Sequence, residues 1–128
     1  TYQGCYVLSV SENEGISEVL LMSSKQKATV YEDTADEATA LSAIEAAMPD
    51  CAVSGIEGWR LMNGEEIELV RKNRSKISNL NTDAKYLYVN SDGKLRISKL
   101  SATQVTEGFS FASTDILRPV AIVNMKKK

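Results

Sequence analysis

The 128-residue chain contains no histidine. That removes the commonest general base, the serine–histidine–acid triad and the cysteine–histidine nucleophile pair. Cysteine is scarce: Cys5 and Cys51 are the only two, without the close pairing of a zinc site. They read either as two buried thiols or as one disulfide. No apolar run approaches the ~18 residues of a membrane span. The longest, over Val19–Met22, has the length of a strand. Charge of one sign is also lacking. Fifteen basic and 17 acidic side chains leave a net charge of −2, without the basic excess of a nucleic-acid binder. Neither the P-loop nor the dinucleotide-binding glycine pattern occurs.

What is present is ordinary globular composition, 43% hydrophobic and 25% charged, in a length that suits one domain over residues 1–128. The chain opens at Thr1, which reads as a processed product or an excised domain.

Gly4–Val10 and Ile16–Ser23 are rich in β-branched and aromatic residues. They flank a turn over Ser11–Gly15 and predict an N-terminal hairpin. A short strand is expected near Thr29–Tyr31. Thr34 and Glu37 fit a capping box, followed by a helix with Ala38, Leu41, Ile44 and Met48 on one face, stopped at Pro49. Asn63 caps a second helix with Glu65 and Glu66 in its first turn, Arg71, Lys72 and Arg74 near its end, and Ile67 and Val70 on its apolar side. Tyr86–Val89 and Leu95–Ser98 flank Asn90-Ser-Asp-Gly93, a second hairpin. Phe109–Phe111 alternates like a strand. A last strand over Ile116–Val123 is broken by Pro119, which favours an edge position or a bulge, and Met125–Lys128 reads as a solvated tail. Hairpin, two helices, then a mainly antiparallel sheet make the class α+β.

No catalytic constellation emerges. Carboxylate or lysine chemistry stays open, but Glu65-Glu66 and Glu12/Glu14 are better explained as helix-start and turn residues. Asn79, Asn81 and Asp83 place oxygen donors at alternate positions, a pattern usable by a calcium ion. The plainer reading is a solvated loop, and no metal or other cofactor is expected. Tyr86 and Tyr88 share one strand face and are candidates for a binding surface, against ordinary strand packing. Trp59 reads as a core anchor rather than a sugar-stacking platform.

Gly58-Trp-Arg-Leu61 before an acidic helix start, Leu117-Arg-Pro-Val120 near the end, and Gly4-Cys-Tyr-Val7 with Gly15 and Val19-Leu-Leu21 resemble a group of bacterial surface domains. The group has a C-type-lectin-like fold and includes the Fibrobacter succinogenes major paralogous domain and the C-terminal domain of Legionella collagen-like adhesin. The likeness spans most of the chain and rests mainly on Trp59, Arg60, Leu61, Arg118 and Pro119. Met62-Asn63 replaces the group's Pro-Thr, and Tyr86-Leu-Tyr-Val89 stands where an aromatic-pair segment is usual.

The resemblance implies an exported, cell-surface module at the end of a longer protein. It also implies a structural role for Gly58, Trp59, Arg60, Leu61, Arg118 and Pro119, with Arg118 hydrogen-bonded or ion-paired near Trp59. Export favours the Cys5–Cys51 disulfide. The expected function is non-catalytic, adhesin-like binding of a glycan or a surface protein through Ser75–Lys85 or Ser101–Ser113. A purely structural or assembly role comes second, and an enzyme third.

Overall fold

The computed structural model describes residues 4–126, apart from 78, 101–104, 106 and 109. The predicted strand at 109–111 and the 101–113 loop therefore fall partly outside the described residues.

The N-terminal hairpin joins β1 (Tyr6–Asn13) to β2 (Ile16–Met22). Asn13 pairs with Ile16, so Glu14 and Gly15 alone make the turn. Both have positive φ, 51° and 81°, as a two-residue turn matched to strand twist requires. A bulge between Val7 and Ser9 leaves Leu8 unpaired and buried.

The chain then runs irregularly alongside residues 111–117. Lys27 and Leu117 exchange backbone hydrogen bonds, and the N–H groups of Thr29 and Thr34 donate to Ser113 and Phe111. The expected strand at Thr29–Tyr31 does not form; Thr29 has φ +57°.

Helix α1 (Glu37–Ala47) starts two residues later than its predicted cap. Asp36 accepts from the Thr39 N–H at 2.7 Å, and Thr34 lies outside the helix with φ +61°. Aspartate out-competes threonine for this role. The buried face is Ala40, Ile44 and Ala47, with Ala38 and Leu41 exposed, so of the predicted face only Ile44 is fully buried. A 3₁₀ turn, Met48–Cys51, ends the unit.

Helix α2 (Gly64–Lys72) follows the two-residue strand β3 (Met62–Asn63). Its capping box is the one the sequence foretold: Asn63 Oδ1 accepts from the Glu66 N–H and the Glu66 carboxylate accepts from the Asn63 N–H, both at 2.9 Å. Ile67 and Val70 are buried.

Strands β4 (Lys85–Val89) and β5 (Leu95–Lys99) form the second hairpin. Gly93 has φ +76°, and Asn90 Oδ1 accepts from the N–H groups of Asp92 and Lys94. Strand β6 (Val120–Lys126) begins after Pro119 and takes in Met125 and Lys126, which the sequence reading had placed in a tail.

Two small sheets result, β1-β2-β6 and β3-β4-β5, antiparallel except for the β3–β4 pair. The second is covered on both faces. Leu87, Leu95 and Ile97 pack against α1, while Tyr86 and Tyr88 share a cluster with Ile67 and Val70 of α2 and Leu20, Met22 and Val120 of the first sheet. Residues 116–120 tie the sheets together. Ile116 bridges to β4, the Pro119 carbonyl accepts from Ser23, and Val120 exchanges backbone hydrogen bonds with Arg60. No helix among the described residues is long and apolar enough to cross a membrane.

Candidate functional site

The 79–85 loop and the 112–116 segment meet beside the Ala28–Thr29 bend. Backbone pairing fixes this: the Ile116 N–H donates to the Lys85 carbonyl and the Thr29 N–H to the Ser113 carbonyl. Between them lies an open cleft of about 570 Å³. Its polar lining is drawn from Thr29, Asn81, Asp83, Lys85, Lys99, Ser113, Thr114 and Asp115.

Lys85 and Lys99 face each other directly in the β4–β5 register, and both are exposed. Like charges opposite one another oppose strand pairing. Neither has an ion-pair partner among the described residues. Asp83 is exposed in the same lining, so the cleft presents donors and acceptors of both signs.

Asp115 lies at the base and is 1% exposed. Its Oδ2 accepts from the Tyr31 hydroxyl at 2.7 Å and the Ala112 N–H at 2.8 Å. Its Oδ1 has no hydrogen-bond partner among the described residues. Burial, and then Asp115, push the Tyr31 hydroxyl far above its usual range. Tyr31 also packs edge-to-face on Phe111, with ring centroids 5.9 Å apart.

The sequence candidates separate. Asn81 and Asp83 belong to this cleft, where Asn81 Oδ1 accepts from the Asp83 N–H at 3.1 Å. Asn79, with φ +59°, lines a neighbouring pocket instead. Among the described residues no group of three or more acidic or cysteine side chains could hold a metal ion.

Tyr86 and Tyr88 are 0% and 3% exposed, which corrects their reading as a binding surface. With α2 and the first sheet over their face, they are core. The Tyr86 hydroxyl still serves the site from below, accepting from the Asn81 N–H at 2.9 Å and donating to Gln26 Oε1 at 3.0 Å.

The Trp59 reading holds in part. The ring is only half-buried, packed against the cluster of Cys5, Val19, Leu21, Ile56 and Ala121, and its N–H donates to the Ile56 carbonyl at 3.1 Å. With Leu41, Met48 and Leu61 it lines a shallow apolar groove of about 600 Å³.

The other signature residues hold structure. Gly58 has φ +79°, a conformation that favours glycine. Arg60 grips Glu66 through two hydrogen bonds of 2.6 and 2.7 Å. Burial alone would raise the Glu66 pKa; Arg60 and the Asn63 N–H outweigh it and hold the carboxyl below its usual range. Arg118 is 3% exposed, donating from Nε to the Ser23 carbonyl at 2.7 Å and from Nη1 to Gln26 at 3.3 Å. Pro119 is buried at the mouth of β6, which is an edge strand as expected.

Cys5 and Cys51 are free thiols, both fully buried. They do not form the disulfide that export favoured. Cys5 packs with Val19, Leu21 and Ile56, while Cys51 belongs to the α1 cluster and points its sulfur at the Leu117 carbonyl. Burial, with Asp50 nearby, pushes the Cys51 thiol up.

Asp115, Lys99 and Thr29 were missed by sequence reading, and Lys85 was named only as the end of the Ser75–Lys85 segment. Only the lysines carried a signal, since residues opposite across a short hairpin can be counted from its turn. Compared with family models, with curated proteins and with solved structures, the chain matches none.

Proposed function

We infer that this domain is a non-catalytic binding module of an exported surface protein, and that the cleft beside Asn81 and Asp83 takes a saccharide. The observation that carries this is the lining itself: hydroxyls, an amide, a carboxylate and two ammonium groups converge on one open cleft. Sugar hydroxyls donate and accept at once and are matched by such mixed sets. The C-type-lectin-like fold belongs to the same reading. In its support, the first and last strands share one sheet while both helices and the second sheet lie between them in sequence.

A glycan array probed with and without calcium, sulfated glycosaminoglycans included, tests the proposal. Asp83→Ala and Asn81→Ala variants accompany the parent protein. Each lost hydrogen bond is expected to weaken a specific hit about fivefold. A silent array, or hits indifferent to both substitutions, refutes the cleft as a saccharide site.

A second reading, assembly with a protein partner, is favoured by the rim of the first sheet. Strand β6 pairs on one side only beyond Val120 among the described residues, and its Ile122 is 48% exposed. An open edge with apolar neighbours can accept another strand. A concentration-dependent oligomer abolished by Ile122→Lys would favour that reading.

A further inference from the structure

Beside the cleft, a smaller pocket of about 330 Å³ is lined by Tyr6, Ser24, Lys76, Asn79 and Arg118, with Gly4 and Val7 at its wall. Two of these residues are cationic and none is acidic. The chain positions next to it in sequence that lie outside the described residues, Thr1, Tyr2, Gln3 and Ser78, carry no carboxylate side chain either.

We propose that this pocket binds the anionic group, carboxylate or sulfate, of an acidic saccharide whose remaining rings occupy the neighbouring cleft. The ligand class rests on the saccharide reading above; the anion site stands on its own geometry.

The two cations differ in a useful way. Arg118 is fixed, since its hydrogen bonds to the Ser23 carbonyl and Gln26 set the plane of the guanidinium before any ligand arrives. Lys76 ends the 3₁₀ turn Arg74–Lys76, is exposed and has no ion pair among the described residues, so its side chain can close over a bound group. A cation fixed in place beside a flexible point charge suits a carboxylate or sulfate. The desolvation that lowers the Arg118 pKa is a cost that a bound anion offsets.

The pocket and the cleft are joined by one hydrogen-bonded chain. Gln26 Oε1 accepts from both Arg118 Nη1 and the Tyr86 hydroxyl, and that hydroxyl accepts from the Asn81 N–H. Asn79 on the pocket and Asn81 on the cleft are two positions apart on one loop. A ligand spanning both would therefore meet a single braced surface.

Amide NMR titration of the ¹⁵N-labelled chain tests the proposal, with sodium sulfate, sodium glucuronate and glucose as probes at constant ionic strength. Sulfate and glucuronate are expected to shift Ser24 and Asn79. The Lys76→Glu variant is expected to weaken both about tenfold, the effect of reversing one charge near contact distance. Lys94→Glu, which makes the same change in net charge on the β4–β5 turn, is expected to stay within about twofold. Equal losses in the two variants would mean diffuse attraction and overturn the site, as would neither anion binding better than glucose. Shifts of Thr29 and Ser113 with glucose, without any anion moving Ser24, would leave the saccharide cleft standing and sink this pocket. Sulfate binding that depends on Lys76 while neither sugar binds would do the reverse.

Discussion

Replacing Glu66 by alanine is the most informative single perturbation of this fold. Its side chain is 9% exposed, accepts two hydrogen bonds from Arg60 and one from the Asn63 N–H, and closes the capping box of α2. Losing one side of a helix cap costs about 1 kcal/mol. Breaking a fully buried ion pair costs about 3–5 kcal/mol, mostly because a stranded charge is left behind. Here the Arg60 side chain is 42% exposed and can turn to water, so that part must be cut to about 1–2 kcal/mol. The sum is roughly 2–3 kcal/mol, or about 6–15 °C in melting temperature for a chain of this size. Urea unfolding at pH 7 measures it. Glu66→Gln keeps an acceptor for Asn63 and should lose about half as much. Because the folded carboxyl is held below its usual value of 4.5, its stabilisation is complete above that pH and is lost as the pH falls through the lowered value. The gap between the parent protein and Glu66→Ala should therefore narrow on acidification. A cost under 0.5 kcal/mol at pH 7, or a gap that widens in acid, would refute the reasoning.

Three further outcomes are expected. Gly15→Ala meets no atom within 4 Å but must adopt φ +81°, so it should cost about 1 kcal/mol by chemical denaturation, whereas Gly64→Ala, with no such φ and equal space, should not destabilise. Ellman titration should find two thiols per chain in denaturant and almost none in the native state, because Cys5 and Cys51 are both 0% exposed; zero thiols in denaturant would reinstate the disulfide. In alkaline titration Tyr31 and Tyr88 should ionise above the ordinary tyrosine value of 10.0. Both are raised by burial, so the unfolded chain gives up those protons first and stability should fall as the pH climbs past about 10.

Features governed by a few adjacent residues could be read from the sequence. The Asn63–Glu66 capping box and the turn at Gly93 each depend on local backbone chemistry and formed as expected; the turn ending at Gly15 formed too, but tighter, with Ser11–Asn13 inside β1. The α1 cap shows the limit of such reading. Two acceptable caps stood two residues apart, and the apolar residues of this alanine-rich helix did not single out the buried face. Tyr86 and Tyr88 were misplaced because β4 is covered on both faces, so its sequence has no inside–outside alternation to reveal burial. The cleft was only half legible. Asn81 and Asp83 were named from one loop, but Thr29, Lys99 and Asp115 join them through pairings that no local pattern encodes.

The segment 116–120 has a consequence for how the molecule comes into being. The Arg118–Ser23 hydrogen bond spans 95 positions of sequence, and β6 pairs with a strand laid down at the other end of the chain. During synthesis neither sheet can reach its final surroundings until residues 116–126 have left the ribosome. The hairpins can form early, but the sheets can be joined only after that segment is made. Folding should accordingly be slow for a domain of this size, on the scale of milliseconds to seconds. The half-made chain, with β2 lacking its second neighbour, is the form most exposed to pairing with the wrong strand.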